Sequence, residues 1–209
     1  IKRADKPILI RTLYQKDKKS AAQEQVDELL LGAGFELLDS TTKVWTDVKE
    51  NLGKMGKIYD RTEEVIKRYG LRVVIAEEEH LDEILELRDS TPELKMYHIP
   101  YQTREEEIQE IKNRHFACII DKDGHVCAAR KIEEDRANLY SPWFCVKKEY
   151  RDKYGLGIVM TGYEMKYAQD HGLSKVYGWI ANDNTGSWNY HLRLGVNVTS
   201  KVADEWVLQ

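Results

Sequence analysis

Residues 139–168 read LYSPWFCVKKEYRDKYGLGIVMTGYEMKYA. A strand-like run ends at Val146, a polar loop carries Lys147, Lys148, Arg151 and Lys153, and Gly155 and Gly157 open an apolar helical segment. The first turn of a helix leaves backbone N–H groups without intrahelical partners and carries the positive end of the helix dipole. Two glycines let the backbone approach an anion closely and adopt φ values closed to other residues. The stretch therefore has the chemistry of a phosphate or pyrophosphate cradle, with an ordinary basic strand–helix turn as the alternative. It is not a Walker-type loop, because Ile158 and Val159 follow Gly157 where Lys-Ser/Thr is needed, and it lacks the third glycine of a dinucleotide fingerprint.

Working downstream, residues 175–180 have the composition of a strand and lead into residues 182–196, NDNTGSWNYHLRLGV, an asparagine-rich loop followed by a short helix stopped by Gly195. Residues 196–200 and 202–208 read as closing strands. Upstream, residues 71–76 are β-rich, residues 78–88 are helical, and Thr103 caps a second helix reaching Arg114. Strand-like runs follow at 115–120, 126–132 and 139–146. Asp123-Gly124 between the first two is a tight-turn signal, so those two should pair as a hairpin. The order β-α-α-β-β-β-α-β-α-β-β predicts an α/β (α+β) domain over 71–209, a mixed sheet with helices on both faces.

Residues 1–70 read differently. A strand over 7–14 precedes a helix capped by Ser20 and stopped at residues 32–34, then comes a short strand at 35–38. Residues 42–69 look helical, with Val44, Trp45, Val48, Leu52, Met55, Ile58, Tyr59 and Val65 at helical spacing and with Gly53 and Gly56 as candidate breaks. The expectation is an α-rich N-terminal appendage ending near Gly70.

The chain has 209 residues, 42% of them hydrophobic, which is enough for a packed core. With 32 Lys+Arg against 36 Asp+Glu the formal charge is −4, which argues against a dedicated nucleic-acid binder. No apolar run approaches the roughly 18 residues of a membrane span. Residue 1 is Ile, as expected of a processed or excised piece. The three cysteines, Cys118, Cys127 and Cys145, lack metal-type spacing and sit in apolar stretches, so buried reduced thiols, no metal and a cytoplasmic setting are expected.

The loop at 147–157, followed about thirty residues later by the Asn184–Gly195 segment, resembles the Gcn5-related N-acetyltransferase family, and the element order of residues 71–209 matches that fold with its partly splayed sheet. The resemblance implies an N-acetyltransferase that uses acetyl-CoA. The pyrophosphate would lie on the loop through Arg151, Lys153, Tyr154, Gly155 and Gly157, and the pantetheine arm would run beside Phe144, Val146 and Asn184. The family's helix carries a Tyr seven residues after the Asn, which protonates the departing thiolate; that position here is His191, with Tyr190 just before it. Asp152 departs from the family's loop, standing where a cation or amide belongs. It is expected to turn outward, leaving Arg151 or Lys153 to face the phosphates.

Tyr97, His98 and Tyr140 would line the pocket for an amine acceptor, a small molecule or a peptide. Glu133, Glu134 and Asp135 are candidate bases, or a solvated hairpin end. A homodimer and a larger multidomain chain are both compatible with this reading. Alternative readings are a non-catalytic acyl-CoA-binding or docking module of a larger biosynthetic protein, transfer to sulfur or oxygen, and malonyl-CoA decarboxylation. Residues 29–38, LLLGAGFELL, weakly resemble the C-terminal end of a class I methyltransferase.

Overall fold

The computed structural model describes residues 7–16, 18–91 and 104–208. Strand β1 (Ile8–Gln15), helix α1 (Ala21–Gly32), strand β2 (Glu36–Asp47) and helix α2 (Val48–Arg68) come first. Strand β3 (Arg72–Ile75) and helices α3 (Leu81–Asp89) and α4 (Arg104–Lys112) follow. Next are strands β4 (Phe116–Ile120), β5 (Val126–Lys131), β6 (Glu133–Asp135), β7 (Asn138–Tyr140) and β8 (Phe144–Val146). Helix α5 (Leu156–Asp170), strand β9 (Lys175–Ala181), helix α6 (Thr185–Arg193) and strand β10 (Asn197–Leu208) close the chain.

The strands form two sheets, β3-β4-β5-β8 and β1-β10-β2-β9-β7-β6. The β4–β5 hairpin turns where Asp123-Gly124 predicts it. Gly124 takes φ +90°, and the Asp121 carboxylate accepts from the N–H groups of Asp123 (2.9 Å) and His125 (3.0 Å). Alternation along β4 divides the core. Phe116, Cys118 and Ile120 pack under α3 and α4 with Leu81, Ile84 and Ile111, while Ala117 and Ile119 pack under α5 with Leu156, Val159 and Met160. Helices thus cover both faces, and all three cysteines are free and buried.

The second sheet corrects the reading of residues 1–70. Strand β2 lies in its interior, antiparallel to β10 on one edge and to β9 on the other. A strand bonded along both edges is part of the sheet, so these residues are built into the same fold and are not an α-rich appendage. The helix expected from residue 42 starts at Val48. In the stretch before it, Thr42, Val44 and Thr46 are buried and alternate with the half-buried Lys43 and Trp45, a period of two that defines a strand. Asp47 ends the strand by capping α2, its carboxylate accepting from Glu50 N–H at 2.8 Å.

Gly53 and Gly56 do not break α2, which runs unbroken for 21 residues. Its buried side, including Tyr59 and Ile66, packs antiparallel to α5. Gly162 permits that approach: a Cβ there would sit 2.7 Å from the Tyr59 side chain. The closing strands are likewise continuous in β10, with an irregularity in its pairing to β2 between Val198 and Val202.

Candidate functional site

The two sheets share one stretch of chain. Strand β7 runs parallel to β9, and Ser141 N–H still donates to Tyr177 O at 2.9 Å. The chain then crosses, and β8 pairs with β5 instead. Where the strands part, a Cβ on Gly178 would lie 3.0 Å from Ser141 O, so glycine allows this close approach.

Ladder parity decides which backbone groups face the gap. Lys147 N–H bonds to Cys127 O (2.8 Å) and Lys131 N–H to Trp143 O (3.1 Å), so odd-numbered residues of β8 spend their groups on β5. Phe144 and Val146 therefore point theirs outward. On β9, Asn182 N–H bonds to Ser40 O (2.9 Å) and Val48 N–H to Ser174 O (3.0 Å), so even-numbered residues serve β2 and Trp179 and Ala181 turn toward the gap. Between these edges lies a cleft of about 610 Å³. Some of its acceptors are taken: Val146 O by Arg151 Nε at 3.1 Å, and Ala181 O by Trp188 Nε1 at 2.9 Å.

The cleft reaches the N-terminus of α5. Gly155 caps that helix at φ +68° with no side-chain cap, after Asp152 and Tyr154, also at positive φ. Val159 N–H bonds to Gly155 O at 3.1 Å, which leaves the preceding amides of the first turn outside the helical ladder. A Cβ on Gly157 would stand 3.3 Å from the Tyr190 ring, and one on Gly155 2.8 Å from Thr62 Cγ2. Arg151, Asp152 and Lys153 are all exposed, and all three border the cleft.

On the opposite wall, α6 carries both candidate acids, and they differ. The Tyr190 hydroxyl shares a 2.8 Å hydrogen bond with Thr161 Oγ1, and burial pushes its pKa above the usual tyrosine range, partly offset by Arg130 and Thr161. His191 Nδ1 lies 2.8 Å from Ser187 O, so Nδ1 carries the proton and Nε2 the lone pair. Burial lowers its pKa, against the bond to Ser187, and keeps it neutral near pH 7. Asn184 lies in the cleft wall, but its Oδ1 caps α6 by accepting from Ser187 N–H at 3.0 Å.

Sequence reading missed the polar group at the cleft base. Arg130 Nη1 donates to Glu164 Oε2 at 2.7 Å and to Ser141 Oγ at 2.9 Å, and its guanidinium lies 4.7 Å from the Phe144 ring centroid. Arg130 and Glu164 are buried, with Arg130 Nε and Glu164 Oε1 unpartnered. The available signal was a charge inside each of two apolar stretches, residues 126–130 and 156–165.

The candidate bases are separated by the pleat. Glu133 pairs with Lys131 at 3.1 Å, and Asp135 accepts from Tyr177 OH at 2.7 Å. Glu134 points to the other face, onto His171 (2.6 Å) and Tyr167 (3.0 Å). Tyr140 is half-buried and stacks on Tyr177, ring centroids 5.1 Å apart, and burial raises its pKa. Tyr97, His98 and the Thr103 cap lie outside the described residues.

No protein-family model and no curated protein matches the chain. Solved structures do. A GCN5-related N-acetyltransferase from Sphaerobacter thermophilus superposes with a TM-score of 0.61 at 12% identity, over 98% of this chain and 60% of its own. The GCN5-related glucosamine N-acetyltransferase region of a fungal multi-domain GH3 β-N-acetylglucosaminidase gives 0.64 at 10% identity, over 93% of this chain and 24% of its own. The PaiA N-acetyltransferase from Thermoplasma acidophilum, solved with coenzyme A, gives 0.51 at 13%, over 65% of this chain and 97% of its own. The chain therefore has a GNAT-like fold, and it spans about 60% of the length of the first of these proteins. Because that likeness extends through nearly all of residues 1–70, the segment resembling a methyltransferase belongs to this fold, where it forms the end of α1 and the start of β2.

Proposed function

We propose that this chain is an acyl-CoA-dependent N-acyltransferase. It moves an acetyl group from acetyl-CoA to the amine of a small molecule or peptide by direct transfer in a ternary complex. One observation carries this reading: two strand edges with outward-facing backbone groups flank a cleft that ends at the uncapped start of α5. The amides of a pantetheine arm can bond to such edges, and a diphosphate suits the amides and dipole of the helix start. The shared fold with PaiA, solved with coenzyme A, supports the same ligand.

In this reading Arg151 and Lys153 add charge at the loop, and Tyr154 and Gly155 hold its left-handed backbone. Val146 N–H faces the thioester oxygen as an oxyanion donor. When a neutral amine attacks the carbonyl carbon, the C–S bond breaks and the sulfur needs a proton. Tyr190 is the proton donor, because its hydroxyl is protonated across the physiological range, whereas neutral His191 has already committed its one N–H to Ser187.

Calorimetric titration with acetyl-CoA tests the reading. The native chain is expected to give saturable heat, and Gly157→Glu to lose it, since the added carboxylate meets both the Tyr190 ring and the phosphates. A native chain without saturable binding would refute the assignment. Sustained thiol release with an amine panel is expected as well, and its absence would leave a module that binds without turnover.

A further inference from the structure

The face of the six-stranded sheet that carries Lys43, Tyr177 and Trp179 curls inward. Arg11 on edge strand β1 lies 5.2 Å from the Trp179 ring centroid on β9, although two strands separate them in the sheet. Lys43 stands opposite Trp179 in the β2–β9 register. Its Nζ sits 3.8 Å from the centroid of the Tyr177 ring and 5.9 Å from that of Trp179; both are cleft-lining residues beside the point where the strands part, although Lys43 itself is not one.

Two other cations of this sheet have partners of their own. Arg11 pairs with Glu205, and Lys175 lies over Trp45. Among the described residues no carboxylate comes within ion-pair distance of Lys43. Asp135 attracts it from further away while accepting from Tyr177 OH, and Lys201 repels it. Burial, with Lys201 adding to it, lowers the Lys43 pKa and enlarges the fraction of free amine. An amine resting on the ring of a residue that lines the cleft is a near neighbour of any thioester bound there.

We infer that Lys43 accepts an acyl group from the thioester bound in the cleft, so that the chain acylates itself at this position. The inference rests on the function proposed above. The Lys43 Nζ lone pair attacks the carbonyl carbon, a C–N bond forms and the C–S bond breaks, and the electron pair leaves with sulfur. Nζ gives up a proton to water and the thiolate takes one from Tyr190, yielding an amide and free coenzyme A. The product removes a positive charge from the aromatic floor and fills it with an acylated side chain, which closes that floor to other amines.

The test incubates the full chain with acetyl-CoA and follows intact mass and peptide maps, with coenzyme binding measured by calorimetry on the same preparation. One acetyl group on Lys43 is expected, at a rate that saturates with acetyl-CoA. It should be absent in Lys43→Arg and strongly slowed in Gly157→Glu. A native chain that binds coenzyme yet stays unmodified, or carries acetyl groups on Lys147, Lys148 and Lys153 without preference for Lys43, overturns the inference. So does labelling of Lys43 that proceeds equally fast in Gly157→Glu, which would mark solution chemistry. If calorimetry detects no binding, the function itself fails, a result distinct from binding without modification.

Discussion

Tyr190 and His191 are adjacent on α6, about 100° apart around the helix, and that rotation gives them different chemistry. Tyr190 meets Gly157 and Thr161 on α5, while His191 folds back on Ser187 of its own helix. Tyr190→Phe is expected to lower kcat by about a hundredfold, the lower range for a general acid, with little change in coenzyme affinity. His191→Phe should stay within a few-fold of the native rate. Steady-state kinetics on both variants check this, and the reverse order would return the role to His191.

A second residue reports through pH. Asp39 has a buried, unpartnered Oδ2, and burial together with Asp183, Glu205 and Asp204 raises its pKa to about 6. A carboxyl raised in the folded state favours folding while protonated, and that contribution is lost as pH rises through about 6. Asp39→Asn is therefore expected to melt above the native protein at pH 8, with the gap narrowing toward pH 4. A gap that widens in acid would contradict this account. The Asp39 environment could not be read from sequence, because its acidic neighbours come from β10 and the loop after β9.

At the scale of elements, glycines in α2 and α5 make opposite predictions. A Cβ at Gly53 or Gly56 meets no atom within 4 Å. Alanine at either should stabilise the chain by about 0.5–1 kcal/mol through helix propensity. Gly162→Ala should instead destabilise by about 1–3 kcal/mol, as overpacking does, because the new methyl meets Tyr59 at 2.7 Å. Denaturant melts of the three variants measure both signs. The start of α2 was legible in one respect: Asp47 and Glu50 stand at the spacing of a capping box, and the cap is observed. The helical spacing of Val44 and Trp45 masked it. Those residues lie in a strand because β9 and β10 bond to both of its edges, and single-strand periodicity over six residues is too short to outweigh an adjoining helical pattern.

For the whole molecule, the interior position of β2 implies that residues 71–209 do not fold alone. A chain beginning at residue 71 would leave β9 and β10 without their shared partner and would strip from α5 the helix that buries Tyr59 and Ile66. It is expected to show no cooperative thermal transition by circular dichroism, and a sharp transition near the native one would disprove this. The sequence by itself determined the helices after Gly70, the hairpin at Asp123-Gly124 and the glycine-opened start of α5, because each depends on turn, cap and backbone preferences acting over a few residues, whereas the run read as one strand over 139–146 divides into β7 and β8 of different sheets. Only the tertiary structure decided that the N-terminal segment enters the sheet, that Arg130 and Glu164 meet at the cleft base, that Tyr190 faces Gly157, and that Lys43 rests on Tyr177. Each of these joins residues distant in the chain, and such pairings depend on strand order and helix packing, which no local pattern encodes.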